Sequence, residues 1–304
     1  MFKRLSLCVV RRGTQATAWV VCAFFMCGCA TIYNPATEKK ELVLIDTPSE
    51  ASLGKVISKQ IELQYPLSKD ARAIARLDKI GEKIAEISDR KDLKYYFKVV
   101  KDEGLNAFSL PGGFVYVNSG LMDIASDDEL ACVVGHEIGH IAARHAAKKL
   151  QVSLGYQLIM GLALRNATSV ELNRAVNTVF NLIALGYSRE DERLSDRLAI
   201  KYALKSDFKP EGMITFFEKL KEEEKKKGIN YHIAFLESHP AIDERINNAK
   251  KEIDLQKINQ AGQEIQPNKE EKNPSKILKR CPKCGKNYPP EYKFCTKDGA
   301  NLTQ

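Results

Sequence analysis

The stretch Ser126-Asp127-Asp128-Glu129-Leu130-Ala131-Cys132-Val133-Val134-Gly135-His136-Glu137-Ile138-Gly139-His140 decides the reading of this chain. Ser126 with Glu129 three residues on is a capping-box pair, so a helix is expected to begin there. Leu130, Val133 and Val134 carry it towards the histidines. At about 100° per residue, His136 and His140 fall about 40° apart and one turn separated, so two imidazoles can point at one ion. Glu137 is turned about 100° from His136, beside the ion but off its ligand face. That suits a base acting on zinc-bound water better than a ligand. Neutral imidazole and carboxylate match Zn²⁺. The alternative, a solvated helix whose histidines only hydrogen-bond, fits poorly because Ala131–Val134 and Ile141–Ala143 make the surroundings apolar. Cys132, in the same run, reads as a small buried residue.

Two histidines leave a third ligand to be found. A metzincin would carry Gly and His three and six residues after His140, where this chain has Ala143 and Ala146. His145, five residues on, would lie about 140° round a continuous helix and cannot share the ion. A second polar stretch, Tyr187-Ser188-Arg189-Glu190-Asp191-Glu192-Arg193-Leu194-Ser195-Asp196-Arg197, places Glu192 and Asp196 one helical turn apart. Glu192 as ligand, with Asp196 holding a zinc histidine by its other ring nitrogen, is a sound arrangement. On spacing alone, such a pair on a charged helix is usually just a solvated face.

Outward from these stretches the chain reads as α+β. Leu53, Val56, Ile57 and Ile61, then Ile74, Leu77, Ile80, Ile84 and Ile87, recur at three and four and predict two amphipathic helices. Segments 95–100, 105–110 and 114–118 read as strands, the last two separated by the turn-forming Pro111-Gly112-Gly113. Helical spacing follows to about Leu255, so the expectation is a mainly helical domain over 46–258 with a small antiparallel sheet. Within it, the apolar stretches 154–164 and 170–185 read as core or lid helices rather than the alternative, membrane-dipping ones, since eleven apolar residues are too few to span a membrane. Residues 259–280, rich in Gln, Asn, Lys, Glu and Pro, read as a flexible linker to a module over 281–304.

With 304 residues, 44% hydrophobic and 28% charged, the chain is neither fibrous nor wholly disordered. Its net charge of +8 is partly a targeting feature: Lys3, Arg4, Arg11 and Arg12 supply +4 before any acid appears, leaving +4 over residues 29–304. That is too little to argue for nucleic acid. After the basic start, Ala16–Met26 is apolar except for Thr17 and has secretory-signal proportions. It ends in Met26-Cys27-Gly28-Cys29, which resembles a bacterial lipobox. The resemblance implies a lipoprotein signal peptide over 1–28, lipid on Cys29, and a polar tether over 29–45; the alternatives are a plain signal peptide or an uncleaved anchor. Ala30 in place of Asp favours, by analogy, the outer membrane.

His136-Glu137-Ile138-Gly139-His140, then Ser188-Arg189-Glu190-Asp191-Glu192-Arg193-Leu194-Ser195-Asp196, then Ser238-His239-Pro240 with Arg245, resemble metallopeptidase family forty-eight. These are the gluzincins that include CAAX-prenyl proteases, OMA-type mitochondrial stress proteases and bacterial envelope quality-control proteases. Asn106-Ala107-Phe108 followed by Pro111-Gly112-Gly113 matches the family's strand before the active helix. The resemblance covers about Glu50 to Asp254 and departs at Ser195, where the family usually has Ala. It implies a zincin-type protease domain in which His136, His140 and Glu192 bind one catalytic Zn²⁺ and Glu137 is the general base. Asp196 would orient a ligand. His239, supported by Arg245, would stabilise the oxyanion or cap the zinc in a latent state; the plain alternative is a turn residue before Pro240. The strand with Asn106, Ala107, Phe108, Gly112 and Gly113 would hold an extended substrate by main-chain hydrogen bonds, unless it is an ordinary structural strand.

The implied activity is that of a zinc metalloendopeptidase of the bacterial envelope, facing the periplasm and cutting misfolded or unassembled proteins. An exopeptidase, and a catalytically silent chaperone or assembly factor on the same fold, are the competing expectations. At the C-terminus, Cys281-Pro282-Lys283-Cys284-Gly285 and Phe294-Cys295-Thr296-Lys297-Asp298-Gly299 resemble a zinc ribbon with Asp298 in place of the fourth cysteine. Cys281, Cys284, Cys295 and Asp298 would hold a second, structural zinc, and the module would bind a protein partner. The rival is a Cys281–Cys284 disulfide.

Overall fold

The computed structural model describes residues 31–43, 45–154, parts of 161–181, and residues 186–227, 233–239, 241–264, 279–283 and 287–288. The leader with Cys29, most of the apolar stretch 155–185, and Cys284, Cys295 and Asp298 lie outside them. The chain divides into two compact units, Met1–Asp254 and Leu255–Gln304. The second contains the short antiparallel pair Lys279–Arg280 and Asn287–Tyr288. Cys281 beside it is buried.

In the first unit, helices α1 (Thr47–Gln64) and α2 (Ala71–Ile87) start on Asp46 and Asp70, whose carboxylates accept from first-turn amides. Such caps satisfy donors that no intrahelical carbonyl can reach. Their apolar stripes are the expected ones: Leu53, Ile57 and Ile61 in α1, and Leu77, Ile80 and Ile84 in α2, are buried. The central sheet contains β3 (Tyr96–Val100), β4 (Ala107–Leu110) and β5 (Phe114–Asn118) in the order β3-β5-β4. β4 and β5 form the expected antiparallel hairpin, but β3 pairs with β5 in parallel. The sheet is therefore mixed, not antiparallel. Alternation shows that a segment is a strand, whereas direction depends on which edge the returning chain joins, and β3 adds to the far side of β5. At the hairpin turn Gly112 has φ +79°, and a side chain there would meet the backbone of Glu50 and Ala51 in α1 at 2.8 Å.

The stretch expected as a tether forms its own hairpin, β1 (Thr31–Asn34) with β2 (Lys39–Leu42). Its polar residues bond to one another: Asn34 accepts from the Ala36 amide and donates to Glu41, and Thr37 also donates to Glu41. Val43 and Ile45 are buried, so the folded unit extends N-terminal to residue 46. At the other end, the helix Ile242–Glu264 runs into the segment expected as linker.

The core forms around α4 (Asp127–Ala142), preceded by the short α3 (Ser119–Ile124) and followed by α5 (His145–Leu154). Leu130, Val133, Val134, Ile138 and Ile141 are all buried, each contributing about 1.5–3 kcal/mol of transfer free energy. Helix α6 (Arg189–Lys205) packs against α4 along its length. Gly139 permits this close approach, since a Cβ there would lie 3.1 Å from Ser195 Cα and carbonyl oxygen. Helices α7 (Gly212–Lys227), α8 (Ala234–Ser238) and α9 (Ile242–Glu264) follow. Among the described residues, no helix is long and apolar enough to cross a membrane.

Candidate metal centre

Both helices that carry the candidate ligands begin on a capping box. Ser126 Oγ accepts from the Glu129 amide while Glu129 Oε2 accepts from the Ser126 amide at 2.8 Å. At α6, Ser188 and Asp191 make the reciprocal pair. These caps fix where each helix starts, and the periodicity then sets which side chains face each other. His136, Glu137 and His140 are each 1% exposed and Glu192 is 2% exposed, so the group is almost wholly buried.

Four donors converge. His136 Nε2 lies 2.9 Å from His140 Nε2, and each is 3.4 Å from a Glu192 oxygen. His239 Nδ1 is 3.3 Å from His136 Nε2 and 3.0 Å from both Glu192 oxygens. All lie within 4.8 Å of one another. Ligands about 2.0–2.1 Å from a tetrahedral zinc stand about 3.3 Å apart, so the spacing suits such an ion. The chemistry suits it too: imidazoles and one carboxylate are zinc donors.

Burial alone would raise the Glu192 pKa, but the charges of His239 and His136 hold it well below the usual carboxylate range. Burial would lower that of His136, yet Glu192 and Asp196 outweigh it and lift it to about 9. His140, whose nearest imidazole nitrogen is 2.9 Å away, is pushed down to about 3, first by burial. Two facing nitrogens cannot both carry a proton, so one keeps it and the other gives it up.

The surrounding partners are equally specific. His136 Nδ1 is 2.9 Å from Asp196 Oδ1, and Arg245 grips Asp196 with Nε at 2.8 Å and Nη2 at 2.6 Å. Arg245 Nη1 also reaches Glu192 at 3.2 Å and donates to the His239 carbonyl at 3.1 Å. Glu137 lies beside the cluster: Ser109 Oγ donates to its Oε2 at 2.7 Å. Its Oε1 has no hydrogen-bond partner and sits 3.6 Å from His239 Nε2. A small pocket meets these groups, lined also by Phe108, Ser109 and Tyr187.

The structure thus brings together His136, Glu137, His140, Glu192, Asp196, His239 and Arg245. Asn106–Phe108 lead into the edge strand β4, whose side chains are buried rather than exposed. Cys132 is buried as expected, its thiol donating weakly to the Pro210 carbonyl. Ser195, which departs from the family pattern, has a buried hydroxyl without a partner.

Ser109, Tyr187 and His145 were not expected at the site. Ser109 sits in a strand quoted for its neighbours, and its bond to Glu137 depends on a packing that no spacing encodes. Tyr187 stacks on the His140 ring with centroids 4.1 Å apart. His145 does not share the cluster, as expected, but it touches a ligand: its Nδ1 is 3.0 Å from His140 Nδ1. The angular argument assumed one continuous helix, whereas α4 ends at Ala142 and Arg144 takes a left-handed φ of 59°.

Comparison with known proteins follows the same outline. The family described as Peptidase family M48 matches residues 71–253. Mitochondrial metalloendopeptidase OMA1 of Saccharomyces cerevisiae is 29% identical over 255 residues, covering 74% of this chain and 71% of that protein. Metalloprotease LoiP of Escherichia coli is 31% identical over 152 residues, 49% of this chain and 59% of its own length. The Beta-barrel assembly-enhancing protease of the same organism is 24% identical over 213 residues, 66% of this chain but 43% of its own length. The chain therefore spans less than two thirds of these two bacterial relatives.

Proposed function

Because the chain belongs to peptidase family M48, we propose that it acts as a zinc metalloendopeptidase on misfolded or unassembled proteins of the bacterial envelope. The observation that carries this reading is the Glu137 carboxylate, anchored by Ser109 on one oxygen and unpartnered on the other, directly beside the four converging donors. His136, His140 and Glu192 would hold the zinc. Bound there, zinc supplies a Lewis acid and a fixed positive charge. Glu137 Oε1 takes a proton from the attacking water and later delivers it to the leaving amine nitrogen, while Ser109 keeps the carboxylate from rotating. Asp196 holds His136 from behind, and Arg245 keeps Asp196 ionised.

His239 Nδ1 stands within the donor group, which supports the capped, latent role for this residue. For turnover its ring must leave Glu192, and its N–H would then meet the negative charge developing on the carbonyl oxygen. The edge strand β4 would take an extended segment, which suits sequence-tolerant cleavage. Casein hydrolysis by the full chain should disappear on chelation and return with added zinc; equal rates with and without chelator would overturn the reading.

The envelope placement is supported by the sequence before residue 30 and by a relative named for β-barrel assembly. We place the lipid on Cys29. Labelled fatty acid should enter the wild type and fail to enter Cys29→Ala; labelling of both would remove the anchor from the account.

A further inference from the structure

The two zinc histidines are held from behind in different ways. His136 faces a carboxylate, Asp196, but His140 faces a second imidazole: His145 Nδ1 is 3.0 Å from His140 Nδ1. His145 in turn places Nε2 3.1 Å from Asp191 Oδ1. His145 is 4% exposed, so neither contact is a casual surface encounter. It can fold back because the helix breaks before it. The left-handed Arg144 is held by the Ile45 carbonyl, Thr47 and Glu50, which offset its backbone strain.

The inference rests on the zinc reading above, because zinc settles the proton positions. If His140 gives its Nε2 lone pair to the metal, its Nδ1 carries hydrogen and must donate. His145 Nδ1 then accepts, His145 Nε2 carries hydrogen, and Asp191 Oδ1 accepts from it. One pair of tautomers satisfies both contacts. The other oxygen of Asp191 accepts from the Ser188 amide at 3.2 Å and its hydroxyl at 2.8 Å, forming the cap of α6. Asp191 precedes the ligand Glu192, so the connections close a ring: His140 to His145, His145 to Asp191, Asp191 to Glu192 along the chain, and Glu192 back to His140. Tyr187 closes the remaining face of His140 by stacking, and Lys149 lies 4.6 Å over the Tyr187 ring.

We propose that His145 and Asp191 are positioning residues for the metal ligand His140: they fix its tautomer and ring plane, and they tie it to the helix that presents Glu192. The plain alternative is a satisfied buried polar pair with no influence on the metal. Leu and Asn distinguish the two, since they are close in size but only Asn keeps an acceptor near the position of His145 Nδ1.

Zinc dissociation constants of the full chain, measured by competition with a chromophoric chelator, are the readout. His145→Leu is expected to bind zinc about 10–100-fold more weakly than wild type. His145→Asn should bind more tightly than His145→Leu, and its cobalt-substituted visible spectrum should be closer to that of wild type. Wild-type affinity in His145→Leu, or an Asn variant as weak as the Leu variant, would overturn the proposal. A wild-type chain that binds no zinc would instead defeat the zinc reading, so the two failures are separable.

Discussion

Glu137→Gln is expected to lower kcat for casein hydrolysis by about 10²–10⁴-fold, the range in which a positioned general base contributes. The substitution removes the proton acceptor and little else. The amide has nearly the same shape, its oxygen can still accept from Ser109 Oγ, and His136, His140 and Glu192 are untouched. Zinc content and melting temperature should therefore match wild type, and KM should change far less than kcat, because the missing interaction belongs to the proton transfer. A zinc-loaded Glu137→Gln that hydrolyses casein like wild type would remove Glu137 from the chemistry. If wild type and variant are equally inert while both hold zinc, the silent-scaffold alternative takes over.

Much of this site was legible because it depends on short-range periodicity. Ser126 and Glu129 set the start of α4, and fourteen residues of ideal helix from the cap suffice to put His136 and His140 on one face. Glu192 and Asp196 were legible as a pair by the same geometry, but their assignment to the histidines required the resemblance, since nothing local separates them from a solvated ExxxD face. Where the reading diverged, a local rule was carried past the point at which the chain changes direction. His145 was placed by rotation on a helix that stops at Ala142. β3 was placed in an antiparallel sheet although alternation does not encode which edge of β5 it joins. The polar residues of 31–42 suggested solvation, but Asn34, Thr37 and Glu41 satisfy one another and make a hairpin. Ser109 shows a different limit: only the contact between β4 and α4 brings its hydroxyl to Glu137.

Arg245→Leu should produce the largest loss of stability, about 3–5 kcal/mol in urea unfolding of the metal-free protein at neutral pH. Arg245 is 3% exposed and is bidentate to Asp196, which is 5% exposed, while also reaching Glu192. Deleting the guanidinium leaves Asp196 buried without its main cation and takes one cationic partner from Glu192, a heavier cost than the lost attraction itself. It also removes packing on the Phe217 ring, 4.5 Å from the guanidinium carbon. The pH dependence separates these contributions. Burial would raise the Asp196 pKa, but Arg245 overcomes it and holds the carboxyl at about 2. A depressed folded-state pKa gives stability that is fully present above the ordinary carboxylate range and is lost as pH falls towards 2. In Arg245→Leu burial is less opposed, so the Asp196 pKa rises and acid relieves the strain by protonating it. The gap between wild type and variant should therefore be widest near neutrality and narrow steadily from about pH 4 towards pH 2. Lost packing alone would give the same gap at every pH, and a gap that stays constant or widens in acid would show that the ion pair is not what Arg245 contributes.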